Sequence, residues 1–278
     1  MTPVDRPLIS GAWKRPDAGV PVAVVTGAGR GIGRACAEAL ARAGWRVALL
    51  ARSRGELESA AGRIGEQGGQ ALACPVDVSH AQEVAGVLDR VRNTLGPPLC
   101  LVNNAAVVEP VGRVESVDPA AWRAAMDVNL FGPFLLAHTV LQDMREQRVG
   151  TILNLVSGMG RRVFPRFSAY SVAKAGLIHL TRVLAAELEG TGITVNALDP
   201  GLVDTRLHER LRGLPADVVG EEMLENLRAL HRQGALKPAE SVGRWVSGFI
   251  SGGRALEMNG RVGTLAEFRE GKGVPAPA

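Results

Sequence analysis

Val22-Ala23-Val24-Val25-Thr26-Gly27-Ala28-Gly29-Arg30-Gly31-Ile32-Gly33 joins an apolar β-rich run directly to a glycine-rich turn. The next residues, near 31–43, repeat apolar positions at helical spacing, so the segment reads strand, turn, helix. Glycines here allow a sharp turn and close approach of backbone to an anion, while the helix start supplies unpaired N–H groups and a favourable dipole. The spacing is TGxxxGxG, one residue longer than the strict GxGxxG between its first two key glycines. Between a first strand and a first helix, such a turn reads as a dinucleotide site. Thr26, Gly27, Gly29, Arg30, Gly31, Ile32 and Gly33 are therefore cofactor-contact candidates.

Outward from this turn the pattern repeats. Short apolar runs fall at Val47–Leu50, Ala71–Val76, Leu99–Val102, Thr151–Val156 and Ile193–Leu198. Helical patterns near 54–67, 80–95, 119–146 and 169–189 separate them. Continuous apolar strands alternating with helices predict an α/β, Rossmann-type, doubly wound parallel sheet covered on both faces. No linker divides this block, so one domain is expected over 21–268. A flexible leader over 1–20 would precede it, and a Gly- and Pro-rich tail over 269–278 would follow. Short helical pieces over 206–237, after the sixth strand, are placed to cover the edge where such sheets bind ligands. A last helix near 239–250 and a strand near 260–265 would close the domain.

Composition narrows the function classes. Apolar residues make up 46% and aromatics 4%, so Val, Leu, Ile and Ala must pack the core. A formal charge of +4, without a basic run or interleaved aromatics, argues against a nucleic-acid partner. No stretch reads as a signal peptide or a membrane span, so no membrane partner is expected. Cys36, Cys74 and Cys100 lie in apolar segments without CxxC spacing, as buried reduced thiols of a cytoplasmic protein would. The five histidines are scattered without metal spacing, so no metal is expected.

The end of the second strand bears on the cofactor. An acidic residue there would bond the adenosine ribose, whereas an arginine accommodates a 2′-phosphate. The strand ends in Ala51-Arg52-Ser53-Arg54, with no carboxylate, and Arg30 in the glycine turn could reach the same phosphate. NADP(H) is therefore expected over NAD(H).

The chain has a single tyrosine, Tyr170, four residues before Lys174. Positions i and i+4 share a helix face. An ammonium that close would pull the phenol down from a pKa of about 10, making Tyr170 a proton donor and acceptor near neutral pH.

These motifs resemble the short-chain dehydrogenase/reductase family over roughly residues 20 to 265. The glycine turn matches at 26–33, Asp77-Val78 follows the third strand, and the family's NNAG appears as Asn103-Asn104-Ala105-Ala106. Asn129, Ser157, the YxxxK of Tyr170 and Lys174, and Pro200-Gly201-Leu202-Val203-Asp204-Thr205 follow in family order. The resemblance implies a catalytic set of Asn129, Ser157, Tyr170 and Lys174. Ser157 would bond the substrate oxygen, Lys174 would bind the nicotinamide ribose, and Asn129 would hold a water linking Lys174 to solvent. It also implies cofactor contacts from Asp77, Val78, Asn104, Ala105, Tyr170, Lys174, Pro200, Gly201, Val203 and Thr205.

The substrate wall would include Ser157, Met159, Phe164 and Tyr170, with Arg161, Arg162, Phe167 and the 206–237 lid nearby. The two phenylalanines suit an apolar carbonyl, while Arg161 and Arg162 suit an acidic substrate or acyl carrier. Gly158 stands where a second family serine is common, and Ala106 replaces the last glycine of NNAG. The implied activity is NADPH-dependent reduction of a small-molecule carbonyl or acyl thioester by a homodimer or homotetramer. NAD-linked alcohol dehydrogenation and non-catalytic cofactor sensing remain as alternatives.

Overall fold

The structure, a computed structural model, describes residues 19–270. The expected leader and tail lie outside the described residues except at their inner edges. Seven strands form: β1 (Val22–Thr26), β2 (Arg46–Ala51), β3 (Gln70–Pro75), β4 (Pro98–Asn103), β5 (Gly150–Leu155), β6 (Ile193–Asp199) and β7 (Val262–Thr264). All pair in parallel, in the order β3-β2-β1-β4-β5-β6-β7. The chain winds outward from β1 to β3, then crosses back to β4. At that reversal the carboxyl ends of β1 and β4 border a crevice, which is where such sheets bind ligands.

The helices are α1 (Gly31–Arg42), α2 (Arg54–Glu66), α3 (Ala81–Thr94), α4 (Pro119–Met126), α5 (Gly132–Gln147) and α6 (Ser168–Glu187). They continue as α7 (Arg206–Gly213), α8 (Ala216–Val219), α9 (Glu221–Arg232), α10 (Ala239–Ser251), α11 (Arg254–Glu257) and α12 (Leu265–Arg269). Strand side chains alternate between faces. Ala23 and Val25 meet α1, α2 and α10 through Leu40, Leu57 and Val246. Val22 and Val24 meet α3, α5 and α6 through Leu88, Val140 and Leu184. Burying each such Val or Leu contributes about 1.5–3 kcal/mol, so aliphatic packing on both faces suffices with few aromatics.

The expected helix over 119–146 is broken. Its middle is a wider π turn, Asp127–Phe131, in which the Gly132 N–H reaches the Asp127 carbonyl. The cause lies in Pro133, which has no N–H to give the Asn129 carbonyl that a regular helix would require. The run Pro119–Gln147 contains an 18-residue window of mean hydropathy 1.3 and is long and apolar enough to cross a membrane by length and composition alone. Here Leu136, Ala137, Val140 and Met144 of this run pack against the sheet.

The 206–237 insertion leaves and re-enters the domain through one clip. Val203 bridges Lys237, the Asp204 N–H bonds the Lys237 carbonyl at 2.9 Å, and the Lys237 N–H bonds the Leu202 carbonyl at 3.0 Å. Its inner face carries Leu211, Val219, Leu224 and Leu227 onto Val108, Phe167 and Tyr170.

Candidate active site

The crevice beyond β1 and β4 is a cleft of about 490 Å³. Its upper wall is the glycine turn. Gly27 and Gly31 adopt φ of +61° and +52°, conformations that side chains rarely tolerate. A Cβ on Gly33 would lie 2.3 Å from the Gly27 carbonyl oxygen, so the turn folds onto α1 only with glycine there. No side chain caps α1, and Gly31 and Ile32 at its start line the cleft. An uncapped helix start beside a tight glycine cradle fits a pyrophosphate.

Thr26 fixes this wall from beneath. Its Oγ1 accepts from the Asn104 and Ala105 N–H groups, each at 2.9 Å. Asn104 Nδ2 returns a bond to the Thr26 carbonyl at 2.9 Å. Thr26 itself is buried, so it positions two strand-end loops and does not line the cleft. Gly27, Gly29, Arg30, Gly31, Ile32, Arg52, Asp77, Val78, Asn104, Ala105, Tyr170, Lys174, Pro200 and Thr205 do line it. Gly33, Gly201 and Val203 do not line it.

The other end of the cleft is built by β5 and α6. The strand delivers Ser157 to a short turn, Gly158–Gly160, where its Oγ accepts from the Met159 N–H at 3.2 Å. Trp122 Nε1 donates to Ser168 Oγ at 3.2 Å, tying α4 to the start of α6. Two residues on, the Tyr170 hydroxyl is hydrogen-bonded to Ser157. Lys174 is 2% exposed; its Nζ donates to the Leu155 carbonyl at 2.8 Å and lies 5.6 Å from the Tyr170 ring centroid.

The electrostatics correct the expectation that Lys174 depresses Tyr170. Burial pushes the Tyr170 phenol up to about 12, the Ser157 hydrogen bond opposes this, and the Asp199 carboxylate raises it further. Burial also draws the Lys174 ammonium down to about 8. Removing both charges from water costs more than their spacing returns. The phenol thus keeps its proton at neutral pH.

Asn129 has side-chain partners that the sequence did not reveal. The π turn buries it completely, and its side chain clamps Val107, accepting from the N–H at 3.1 Å and donating to the carbonyl at 2.7 Å. Its amide fixes the loop after β4. Met159 and Phe164 pack with the insertion's apolar face. Arg161, expected to meet an acidic substrate, is bound instead to Glu267 at 3.1 and 3.3 Å. Arg162 lies over the Phe164 ring, 5.9 Å from its centroid. Asp77 is engaged by the Ser79 N–H and hydroxyl at 3.0 and 2.7 Å. Among the described residues, no group of three or more His, Cys, Asp or Glu is placed to hold a metal ion.

Glu56, Glu109, Asp199, Arg206 and Arg210 are charged groups at this site that sequence reasoning missed. The Ser53-x-x-Glu56 spacing signals a helix cap, and Ser53 Oγ does accept from the Glu56 N–H at 3.4 Å. The Glu56 carboxylate turns instead to Arg30 at 2.9 Å and Arg206 at 3.5 Å. Arg210 pairs with Glu109 at 3.2 Å.

Comparison with known proteins agrees with this geometry. Residues 21–213 match the short chain dehydrogenase family model. The chain is 37% identical over 193 residues to 2-(S)-hydroxypropyl-CoM dehydrogenase 3 of Xanthobacter autotrophicus, covering 69% of this chain and 75% of that protein. It is 36% identical over 239 residues to a 3-oxoacyl-(acyl-carrier-protein) reductase of Pseudomonas aeruginosa, covering 86% and 93%. Among solved structures, a variant actinorhodin polyketide ketoreductase with NADPH aligns with a TM-score of 0.81 and 30% identity, over 88% of this chain and 95% of that one.

Proposed function

Because the chain belongs to the short-chain dehydrogenase family, whose members here act on CH–OH or C=O groups, we propose that it reduces a carbonyl with NADPH and that Tyr170 gives the proton. The observation that carries this reading is a neutral phenol, bonded to Ser157 and beside Lys174, on the floor of the cleft that the glycine turn opens. Bound in that cleft, the nicotinamide would supply a hydride to the carbonyl carbon. Ser157 would donate a hydrogen bond to the carbonyl oxygen, where negative charge develops. Tyr170 would pass its proton to that oxygen, leaving a phenolate that the Lys174 ammonium stabilises. Lys174 would also bind the cofactor ribose, and Asn129 would hold the loop that borders it. The glycine turn, Asp77, Val78, Pro200 and Thr205 would hold the rest of the cofactor, with Gly201 and Val203 shaping the backbone behind them. The 206–237 segment acts as a lid, and its leucines with Met159 and Phe164 favour an apolar ketone or 3-oxoacyl thioester.

Arg30 and Arg52 at the adenosine end support NADPH. Glu56 between Arg30 and Arg206 gives the NAD-linked alcohol dehydrogenase reading its one support. Initial rates with β-keto thioesters, diketones and aldehydes, each with NADPH and NADH, decide. Turnover favouring NADPH is expected. Turnover of none of them sinks the reductase reading, and faster NAD-linked alcohol oxidation replaces it. We also propose a homodimer through the face of α4, the π turn, α5 and α6. Phe131 and Phe134 are each 42% exposed there, beside an apolar groove lined by Leu130, Leu180 and Val183. A monomer by light scattering contradicts that assembly. Buried free thiols at Cys36, Cys74 and Cys100 suit a reducing compartment such as cytoplasm.

A further inference from the structure

The adenosine end of the cleft concentrates three guanidinium groups with the carboxylates of Glu56 and Asp77. Arg30 comes from the glycine turn, Arg52 from beyond β2, and Arg206 from the first position of α7 in the lid. Arg30 Nη1 and Arg206 Nη1 approach the same Glu56 oxygen, at 2.9 and 3.5 Å. Glu56 stands third in α2, where a glutamate would ordinarily close a capping box on Ser53. Its side chain instead leans on the glycine turn, and a Cβ on Gly29 would lie 2.9 Å from the Glu56 Cβ. Asp77 lies in the field of Arg52, so two carboxylates against three arginines leave one positive charge in excess, which an anion with several oxygens would satisfy better.

The lid brings its arginine there by design of its first helix. Arg206 and Arg210 are four residues apart and share a face of α7. Arg206 pairs with Glu56 at the start of α2, whereas Arg210 pairs with Glu109 in the loop after β4. The lid helix is thereby tied to both sides of the cleft.

We propose that Glu56 and Arg206 set cofactor selectivity: Glu56 is an internal counter-ion standing in for the adenosine 2′-phosphate, and Arg206 is a lid-borne third arginine for that phosphate. The inference rests on the NADP(H) reading. A 2′-phosphate takes over Arg30 and Arg206 from Glu56, so recognition of the phosphate also fastens the lid. A cofactor without that phosphate leaves both arginines on Glu56.

The test is calorimetric titration of the full chain with adenosine 2′,5′-bisphosphate and with 5′-AMP, alongside NADPH and NADH titrations followed by fluorescence. Arg206→Ala is expected to weaken the bisphosphate and NADPH by about 5- to 10-fold, the scale of one partly exposed charge-assisted contact. It should leave 5′-AMP and NADH within about twofold. Glu56→Gln is expected to tighten the bisphosphate several-fold and leave 5′-AMP unchanged. Equal weakening of all four ligands by Arg206→Ala, or of none, overturns the assignment. Weaker 5′-AMP or NADH binding in Glu56→Gln overturns it too, by making Glu56 a ribose ligand. Thermal melts of both variants confirm that a loss is not unfolding, and Arg206→Lys supplies a folded second variant with the charge retained. Wild type that binds NADH as tightly as NADPH defeats the NADP(H) reading itself. A wild-type NADPH preference that survives Arg206→Ala defeats this inference alone.

Discussion

The glycine wall and the lid enclose the same cleft but are held by different forces. On the wall, backbone is fixed to backbone through Thr26 and Asn104, and glycine permits contacts that no side chain would. The lid is held by leucines against Tyr170 and Phe167, by partly exposed ion pairs, and by one clip at Val203 and Lys237. The first arrangement is expected to be intolerant of substitution and the second tolerant.

Replacing Lys174 probes the fixed half most severely. Lys174→Met is expected to lower kcat by about 10²–10⁴-fold, the usual range for a proton-transfer assembly. The same change should raise the melting temperature at pH 7. Burial has drawn this base down to about 8 from 10.5, so the folded protein loses stability wherever the lysine is charged in both states. That cost fades as pH rises from about 8 to about 10.5, and the thermal gain should fade with it. A variant destabilised at pH 7 contradicts the burial argument.

Gly33→Ala comes next. Its methyl group would meet the Gly27 carbonyl oxygen at 2.3 Å, so a loss of about 1–3 kcal/mol in denaturant melts is expected, as for overpacked sites, with dinucleotide binding lost. Unaltered binding would show that the wall yields as readily as the lid. Leu224→Ala, in the lid's buried face, should cost about 2–5 kcal/mol if the lid melts with the domain. If the lid opens on its own, the global melt stays put and hydrogen exchange rises only over 206–237. That split is the expected result, and its absence would merge the two regions into one cooperative unit.

The smallest effect belongs to Arg161→Gln. The Arg161 guanidinium, with the Thr264 N–H, holds the Glu267 carboxyl down to about 2. A depressed carboxylate stabilises the fold above its ordinary pKa and loses that contribution as pH falls through its folded value. Wild type should therefore lose stability between about pH 4.5 and 2, and Arg161→Gln should flatten that loss. The pair is partly exposed, so a change of no more than about 1 kcal/mol is expected. Coincident acid-melting curves would remove Arg161 from the account.

Sequence made the sheet legible because continuous apolar strands leave little else to build. All six runs from Val22 to Leu198 became strands with only their ends shifted, and the short seventh followed. The π turn was less visible, although Pro133 inside an apolar helical run marked it. Roles that depend on burial were not legible. A Tyr and a Lys four residues apart suggest mutual charge stabilisation, but only the folded environment shows desolvation winning at both. Asn129 matched the expected position while its amide proved committed to Val107. Arg161 was assigned to substrate because nothing in sequence announces a partner 106 residues away. Glu56 was hidden by its own cap-like spacing, since where a glutamate turns is decided by the arginines that surround it.

The central claim concerns the proton on Tyr170, and the most direct measurement is NADPH binding and carbonyl reduction on the same preparation of Tyr170→Phe. The account predicts a dissociation constant within about threefold of wild type and a kcat lower by about 10²–10⁴-fold. Reduction proceeding within a few-fold of the wild-type rate would contradict it.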